Sequence, residues 1–182
     1  LMGLNALNAG VFLISYSIFN FFFEFMRLNN ARFNQVVLTV LGSFMREDEK
    51  DKVSGMPFYA LGTGLSFYLF PEKIAIMSIL FLTFSDPISS IVGVLYGKNK
   101  FLPNKSVQGS GAGVIVCFVI SYVCLTMWHP EVASIILPFS IAAGLLGSFS
   151  ELLSIFNVDD NLTIPLFSGL GLLVLNNFMQ IL

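Results

Sequence analysis

Long runs of apolar residues alternate with short polar segments along the whole chain. A run of about 17–25 apolar residues is long enough to cross the hydrocarbon core of a bilayer as a helix. The run at 56–70 is shorter and is expected to tilt or to begin earlier in the chain. The pattern predicts six membrane-crossing helices, over residues 2–23, 56–70, 73–96, 111–128, 132–150 and 162–182.

The longest polar segment, residues 24–55, carries a second pattern within it. Between positions 33 and 45 the apolar residues recur at the spacing of one helix face, and polar residues occupy the other positions. An amphipathic helix of this kind lies in the plane of the membrane interface, with its apolar face toward the acyl chains. The charged run at 46–52 then predicts a solvated turn before the next membrane crossing.

Composition agrees with a membrane protein. Hydrophobic residues make up 55% of the chain and charged residues 11%, whereas a soluble domain carries about 25% charged residues. Mean hydropathy is +0.82. We therefore predict an all-α integral membrane protein with about six transmembrane helices and one interfacial amphipathic helix. Cys117 and Cys124, both within one apolar helix, are interpreted as packing residues rather than as a disulfide or a metal site.

Positive charge is confined to two segments. Every lysine and arginine except Lys73 lies in segment 24–55 or in segment 97–110. With six alternating crossings both segments fall on one side of the membrane, and the positive-inside rule makes that side cytosolic. The acidic segment 151–161 falls there as well. We expect the three segments to meet at the cytosolic face of a bacterial cytoplasmic membrane, which we favour, or of the endoplasmic reticulum membrane in a eukaryote.

Asp86 is the residue with the strongest functional implication. It lies inside the apolar run 74–96. A carboxylate in mid-bilayer costs at least about 2.5–3.5 kcal/mol, so it usually faces a partner, an ion or a water-filled cavity. We predict that Asp86 is catalytic, either as a metal ligand or as the base that accepts a hydroxyl proton. Pro87 permits two structures, a helix broken at mid-depth with a new half-helix starting there, or a continuous helix with a proline kink.

A basic, glycine-rich segment follows this run and indicates a phosphate site. Ser89, Gly93 and Gly97 share one helix face, where either a neighbouring helix or a ligand can approach closely. The glycine-rich loop 109–113 leads into the next crossing, and a helix N-terminus beside glycines is a ready site for an anion. The predicted phosphate-binding residues of this region are Gly93, Lys98, Lys105, Ser106, Gly109 and Ser110.

Charged residues also flank the other polar segments. Glu24 and Arg27 stand three positions apart, which predicts a local ion pair. Arg27 and Arg46 are further candidates for charge partners of a phosphate, and Asn161 for a nucleotide contact or a helix cap. Mg²⁺ is usually held by one or two carboxylates while substrate phosphates complete its shell. The candidate ligands of such a cation are Asp86, Asp160 and Glu24.

Taken in order, these motifs resemble the polyprenol/diacylglycerol kinase family, which comprises dolichol kinases, phytol kinases and CTP-dependent diacylglycerol kinases. The resemblance covers about residues 24–165, most of the chain. It rests on 85–90 with Gly93, on Tyr96-Gly97-Lys98, on Asn104-Lys105-Ser106 with Gly109-Ser110, on Glu24 with Arg27, on 41–46 with Glu49 and Gly55, and on Glu151 and 159–162 with Pro165.

The resemblance implies a single transmembrane catalytic domain over 1–182 that transfers the γ-phosphate of CTP to the hydroxyl of a membrane lipid. A divalent cation, Mg²⁺ or another, would assist, and the lipid would be diacylglycerol, a polyprenol or phytol. The implied partners are the lipid and the nucleotide, without nucleic acid, and an oligomer is compatible with the sequence. Family members usually carry an Arg-Lys pair and a His in an earlier helix, and we expect that helix to be missing here. They also usually have Glu at the position of Gln108.

Two other functions stand as alternatives. The order of the acidic, Gly-Lys and Lys-Ser-Gly motifs is distantly similar to that of CDP-diacylglycerol synthases, cytidylyltransferases that also use CTP and a lipid. Those enzymes carry a further Lys-Arg and His-Gly-Gly signature near their end, which this sequence does not show. A small ion-coupled transporter with Asp86 as its ion site is the non-enzymatic alternative, although a transporter would not need its charged loops gathered on one face.

Overall fold

The computed structural model describes residues 5–43, 45, 47–102, 105–152 and 159–182, and helices dominate these ranges. The α-helices are α1 (Ala6–Asn29), α2 (Ala31–Leu41), α3 (Gly55–Leu69), α4 (Glu72–Leu80), α5 (Asp86–Tyr96), α6 (Val107–Trp128), α7 (Ala133–Leu152) and α8 (Asp160–Met179). The other described elements are 3-10 turns at Glu47–Lys50 and Pro130–Val132, and an antiparallel hairpin of β1 (Lys100–Leu102) and β2 (Lys105–Ser106).

Five helical segments among the described residues are long and apolar enough to cross a bilayer. They are Ala6–Asn29, Glu72–Tyr96, Val107–Trp128, Pro130–Leu152 and Asp160–Met179. The remaining predicted crossing corresponds to α3, which has only 15 residues, fewer than the roughly 17–25 that span a bilayer. The prediction of an all-α integral membrane protein is therefore confirmed, with a helix count close to the expected six.

The helices enclose a narrow apolar core and turn most other apolar side chains outward. Cys117 is fully buried in this core, as its interpretation as a packing residue predicts. The other fully buried core side chains include Ile74, Met77, Phe81, Leu125, Phe139 and Leu172. Phe12, Val94 and Phe178 are among the many large apolar side chains that are exposed. Outward apolar side chains suit helices that hydrocarbon rather than water surrounds.

The helix that carries Asp86 is continuous. A π-helical stretch, Phe81–Ser85, joins α4 directly to α5. Pro87 lacks an N–H group, so a regular α-helix would lose a hydrogen bond and place the proline ring against the carbonyl four residues earlier. A wider π-turn at that point accommodates this, and such turns are frequent at functional sites. Of the two predicted structures, the continuous helix is therefore the one observed, with a π-turn as its irregularity.

The polar segment after the first crossing begins later than its predicted start at Glu24. Helix α1 continues to Asn29, so Glu24 and Arg27 are helical. They extend the helix because they neutralise each other, with 2.6 Å between Arg27 Nη2 and Glu24 Oε2, as the ion-pair prediction requires. Helix α2 (Ala31–Leu41) covers most of the amphipathic helix predicted over 33–45 but ends earlier, and Asn30 caps its start by accepting a hydrogen bond from the N–H of Phe33.

The glycine-rich segment 109–113 is wrongly predicted as a loop, since it forms the first turns of α6. Ser106 caps this helix, and its Oγ accepts a hydrogen bond from the N–H of Gly109 at 3.1 Å. Gly109 lies close against α5. A Cβ atom built on Gly109 would lie 2.8 Å from the carbonyl oxygen of Ser89 and 3.1 Å from Cα of Gly93. Close packing of α5 against α6 therefore requires glycine here.

We expect Gly109→Ala to destabilise the fold, because the added methyl group would force α5 and α6 apart. Overpacking of this kind costs about 1–3 kcal/mol. The matched control is Gly111→Ala in the same helix, because nothing lies within 4 Å of a Cβ atom at that position. Alanine there should add up to about 1 kcal/mol through its higher helix propensity. Equilibrium unfolding in mixed micelles measures both changes, and equal stabilities of the two variants would contradict the close contact.

The polar segments that the charge pattern assigns to one face do meet at one end of the bundle. Lys105, which precedes α6, lies beside Glu151 at the end of α7. Gly55, at the start of α3, lies against the side chain of Asn161 at the start of α8. We call this the polar end. At the opposite end Lys73 Nζ lies 2.5 Å from Nε2 of His129, in the link between α6 and α7.

Candidate active site

A cavity of about 500 Å³ opens at the polar end between α5, the β-hairpin, the start of α6 and the end of α7. Three of these elements follow one another in sequence, since the hairpin connects α5 to α6. The residues that line it are Ser89, Ser90, Gly93, Val94, Gly97, Lys100, Lys105, Ser106, Gly109, Ser110 and Glu151. Five of the six residues predicted from sequence to bind phosphate in this region, all except Lys98, therefore share one cavity.

Small residues form the wall of this cavity on the α5 side. Ser89, Gly93 and Gly97 share a helix face, and the two predicted uses of that face coexist. Gly93 lies against Gly109 and Ser106, with 3.8 Å from its built Cβ to Cα of Gly109, which is helix packing. The same residues line the cavity. Because Gly93 and Gly97 have no side chains beyond Cα, they leave space that a ligand would need.

The β-hairpin brings two lysines to the cavity. Lys100 on β1 pairs with Ser106 on β2, next to Lys105. The side chain of Lys105 is 19% exposed, while Lys100 is exposed. Lys98 is exposed before the hairpin, and the described residues along the cavity wall do not include it. The cationic groups of the cavity are therefore Lys100, which the prediction of site residues missed, and Lys105.

Glu151 is the buried acid of the cavity. It is 1% exposed, and it accepts hydrogen bonds from Ser85 Oγ at 2.8 Å and from Ser89 Oγ at 2.9 Å. Its Oε2 lies 3.8 Å from Nζ of Lys105. The predicted site residues do not include Glu151, and the sequence does not connect Ser85 and Ser89 with it. Polar residues on apolar helices are the signal that could have linked them.

One hydroxyl of the cavity has its hydrogen-bonding capacity unused. Ser110 Oγ is buried and has no hydrogen-bond partner within the part of the chain that the structure describes. Buried polar groups are satisfied in most proteins, and an exception calls for an explanation such as a ligand. By contrast, Ser106 Oγ caps α6, and the N–H of Val107 donates to the carbonyl of Asn99. The predicted anion site at this helix start would therefore depend on side chains more than on free amides.

Asp86 lies on the cavity face of α5, about one helical turn deeper than the nearest lining residues. The residues at three, four, seven, eight and eleven positions after it are Ser89, Ser90, Gly93, Val94 and Gly97, all of which line the cavity. Residues at these spacings share one face of an α-helix. Asp86 is half-buried. The structure thus places the predicted catalytic carboxylate on the cavity side of its helix.

A second charged cluster surrounds Arg27, which is fully buried. Its Nη1 donates to Asn34 Oδ1 and to the carbonyl of Lys50, at 2.8 and 2.9 Å. Its Nη2 donates to Glu24 and to the carbonyls of Glu49 and Lys52, at 2.6, 3.0 and 2.6 Å. Glu24 also accepts from the N–H of Ser54. Both predicted ligands of this region, Glu24 and Arg27, therefore hold the segment before α3 in place.

The remaining predicted residues lie near the start of α8. Asp159 caps this helix and accepts from the N–H of Asn161 at 2.9 Å, so neither Asp160 nor Asn161 is the cap. The side chain of Asn161 lies between Asp159 and Gly55, which joins α8 to α3. Asp160 lies within electrostatic reach of Glu151. Arg46 lies outside the described residues.

The carboxylates do not form a preassembled metal centre. Within the described ranges, no group of three or more His, Cys, Asp or Glu side chains gathers in a way that could hold a metal ion. Mg²⁺ does not need one, since one or two carboxylates and the substrate phosphates usually complete its shell. Asp86, on the cavity face of its helix, and Asp160, within electrostatic reach of Glu151, are better candidates for such a site than Glu24, whose oxygens accept from Arg27 and Ser54.

Comparison with known proteins places the chain in a family. No family model matches it, and no solved structure matches it. It is 35% identical to CTP-dependent diacylglycerol kinase 1 of Schizosaccharomyces pombe over 80% of this chain and 71% of that protein. It is 34% identical to the protein of that name in Saccharomyces cerevisiae, over 92% of this chain and 64% of that protein. The corresponding protein of Eremothecium gossypii is 33% identical, over 86% of this chain and 55% of its own length. The chain therefore belongs to the diacylglycerol/polyprenol kinase family of membrane lipid kinases.

Proposed function

We propose that this protein transfers the γ-phosphate of CTP to the hydroxyl of diacylglycerol at the membrane surface. The observation that carries the proposal is the cavity at the polar end, where Lys100 and Lys105 converge with Ser110, whose hydroxyl has no hydrogen-bond partner among the described residues. The names of the fungal relatives support CTP as donor and diacylglycerol as acceptor. They favour the kinase over the cytidylyltransferase and the transporter.

The nucleotide phosphates would lie against the hairpin and the start of α6. Lys100 and Lys105 supply positive charge from β1 and β2, and Ser110 supplies a hydroxyl donor from α6. Phosphoryl transfer involves little covalent chemistry by the protein, so positioning and neutralisation of charge account for most of its catalysis. Glycines at positions 93, 97 and 109 leave room for phosphates close to the helix backbones.

The lipid would approach from the side of α5. Val94 lines the cavity and is 86% exposed, so the cavity reaches the apolar surface of this helix. A lipid with its acyl chains in the bilayer can therefore present its hydroxyl at the cavity edge without leaving the membrane. Asp86, deeper on the same face, would accept the hydroxyl proton or hold a divalent cation. With Asp160 as a second ligand, such a cation would neutralise charge on the transferred phosphoryl group.

The orientation and location of the protein belong to the same proposal. The basic segments cluster at the polar end, which supports a cavity that faces the cytosol under the positive-inside rule. The relatives named above are fungal. We therefore propose a eukaryotic membrane, with the endoplasmic reticulum as host, in place of the bacterial membrane that the sequence alone favoured. That the protein binds no nucleic acid, and that it can form an oligomer, stay predictions.

The test is phosphate transfer by the purified protein in detergent micelles. γ-Labelled CTP or ATP would be offered with diacylglycerol, dolichol, undecaprenol or phytol, with and without Mg²⁺. Label in phosphatidate from CTP alone is the expected result, and loss of transfer with a chelator would establish the cation. Label in a polyprenol would change the acceptor. Formation of CDP-diacylglycerol from phosphatidate would favour the cytidylyltransferase instead.

We expect Asp86→Asn to abolish transfer while the protein still folds, because the amide keeps the shape of the side chain but lacks its charge and basicity. General base catalysis alone contributes about 10²–10⁴-fold. The initial rate and the melting temperature in detergent measure the two properties. Asp51→Asn in the exposed turn before α3 is the control and should leave both unchanged. Full activity of Asp86→Asn would remove Asp86 from the catalytic machinery.

A further inference from the structure

Glu151 on α7 is clamped from two sides by serines of the continuous helix that α4 and α5 form. Ser85, the last residue of the π-helical stretch, holds Oε1, and Ser89 in the first turn of α5 holds Oε2. Both serines are almost fully buried. Gly113 of α6 makes room for this arrangement, since a Cβ there would lie 3.3 Å from Glu151 Oε1 and from Ser85 Oγ. Three helices thus fix one carboxylate.

A clamped carboxylate of this kind needs a cation. Serine hydroxyls satisfy the hydrogen-bonding capacity of the oxygens but leave the charge in place, and an uncompensated buried charge is strongly unfavourable. Nζ of Lys105 lies 3.8 Å from Oε2 and forms the ion pair that the structure records for this group. The π-turn contributes directly, because it sets the position of Ser85 relative to Ser89.

The distance between the charges leaves the lysine available to a ligand. At 3.8 Å the pair attracts electrostatically, but it is too long for a normal hydrogen bond. The ammonium donates no hydrogen bond to any residue that the structure describes, so its three N–H groups can donate to phosphate oxygens. A lysine side chain is flexible and carries a compact charge at its end. The fixed carboxylate of Glu151 therefore restricts the positions that the ammonium of Lys105 can occupy.

We infer that Glu151 is a positioning residue for the transfer reaction, which holds the ammonium of Lys105 in the cavity where it meets the nucleotide phosphates. This inference rests on the proposed function. The alternative is that the carboxylate of Glu151 simply repels the nucleotide phosphates. In that case, removal of Glu151 would strengthen nucleotide binding. The sign of the change in the KM for CTP separates positioning from repulsion.

The first measurement is steady-state kinetics of Glu151→Gln. We expect the KM for CTP to rise about tenfold, the KM for diacylglycerol to stay within about twofold, and kcat to fall less than the affinity, as for a lost phosphate contact. Glu151→Asp, which keeps the charge, should recover part of the loss. Glu72→Gln, exposed at the opposite end, is the matched control and should behave as wild type. An unchanged or lower KM for CTP in Glu151→Gln overturns the inference.

A double-mutant cycle with Lys105→Ala tests whether Glu151 affects the KM for CTP through Lys105. If Glu151 acts through Lys105, Glu151→Gln should cost about tenfold alone but less than about twofold in the Lys105→Ala background, because coupled residues are not additive. Additive losses would overturn the inference, since they would show that Glu151 acts independently. Should Glu151→Gln fail to fold, Ser89→Ala, which loosens the clamp, enters the cycle in its place.

Equilibrium binding of CTP, measured by titration calorimetry on the same variants, keeps the two proposals separate. A wild-type protein that transfers phosphate while Glu151→Gln binds CTP normally would refute the positioning role alone. A wild-type protein without transfer would refute the proposed function, and the binding cycle would still decide whether Glu151 positions Lys105 toward a nucleotide.

Discussion

Lys105→Ala is expected to lower kcat/KM for CTP by about 13- to 160-fold. A hydrogen bond to a charged group contributes about 1.5–3 kcal/mol, and each 1.36 kcal/mol corresponds to about a factor of ten in rate. The lysine also compensates the buried charge of Glu151 at 3.8 Å. Its removal should therefore weaken phosphate binding and take this cation away from the buried charge of Glu151, so the loss should lie toward the upper end of this range.

Lys98→Ala is the matched control for Lys105→Ala. Both residues belong to the same basic segment and carry the same charge, so long-range attraction of an anionic nucleotide is weakened equally. Lys98 is exposed outside the described cavity wall, while Lys105 lines the cavity. The control should lose less than about threefold, in line with a screened surface charge. Similar losses in the two variants would show that general electrostatic attraction, and not a phosphate contact, explains the role of the segment.

Arg27→Ala is expected to destabilise the protein by about 3–5 kcal/mol, the usual cost of removing one partner from a buried ion pair. The substitution would leave Glu24 charged and buried, and it would remove the donors that hold the carbonyls of Lys50 and Lys52. The segment before α3 should then lose its anchor. Equilibrium unfolding in mixed micelles, combined with limited proteolysis of that segment, measures the effect.

Arg32→Ala provides the comparison for Arg27→Ala, because Arg32 is exposed on α2. Surface substitutions of this kind usually change stability by less than about 0.5 kcal/mol. The sequence assigns Arg27 to phosphate binding, whereas its contacts indicate support of the fold. An Arg27→Ala variant with wild-type stability but without affinity for CTP would restore the phosphate-binding role and contradict the structural one.

The membrane class and the common face of the polar segments were predictable because both follow from local composition. A helix in lipid must satisfy its own backbone groups and present apolar side chains, so each crossing leaves a run that can be recognised by itself. The charge of a short loop likewise depends only on that loop. Boundaries were less predictable. Glu24 and Arg27 continue α1 because each neutralises the other, and Ser106 starts α6 before the glycines.

The membership of the site was predictable only in part. Lys105, Ser106, Gly109 and Ser110 are consecutive or nearly so, and their shared hairpin and helix start keep them together. Arg27 and Asn161 belong to the same polar end, yet their side chains join structural elements there. A charged residue near the end of a crossing looks the same in sequence whether it faces a ligand or a neighbouring backbone.

By itself, the sequence determined that this protein is built of helices long and apolar enough to span a membrane and that its charged segments share one side, and it predicted that Asp86 and the Lys105 region carry the chemistry. Only the tertiary structure decided that Glu151 lies at the cavity between two serines and Lys105, and that Lys100 rather than Lys98 lines its wall. The physical reason is that hydropathy and charge act on each segment separately. The rotation of α7 against α5 and the pairing of β1 with β2 depend instead on close contacts between residues far apart in the chain.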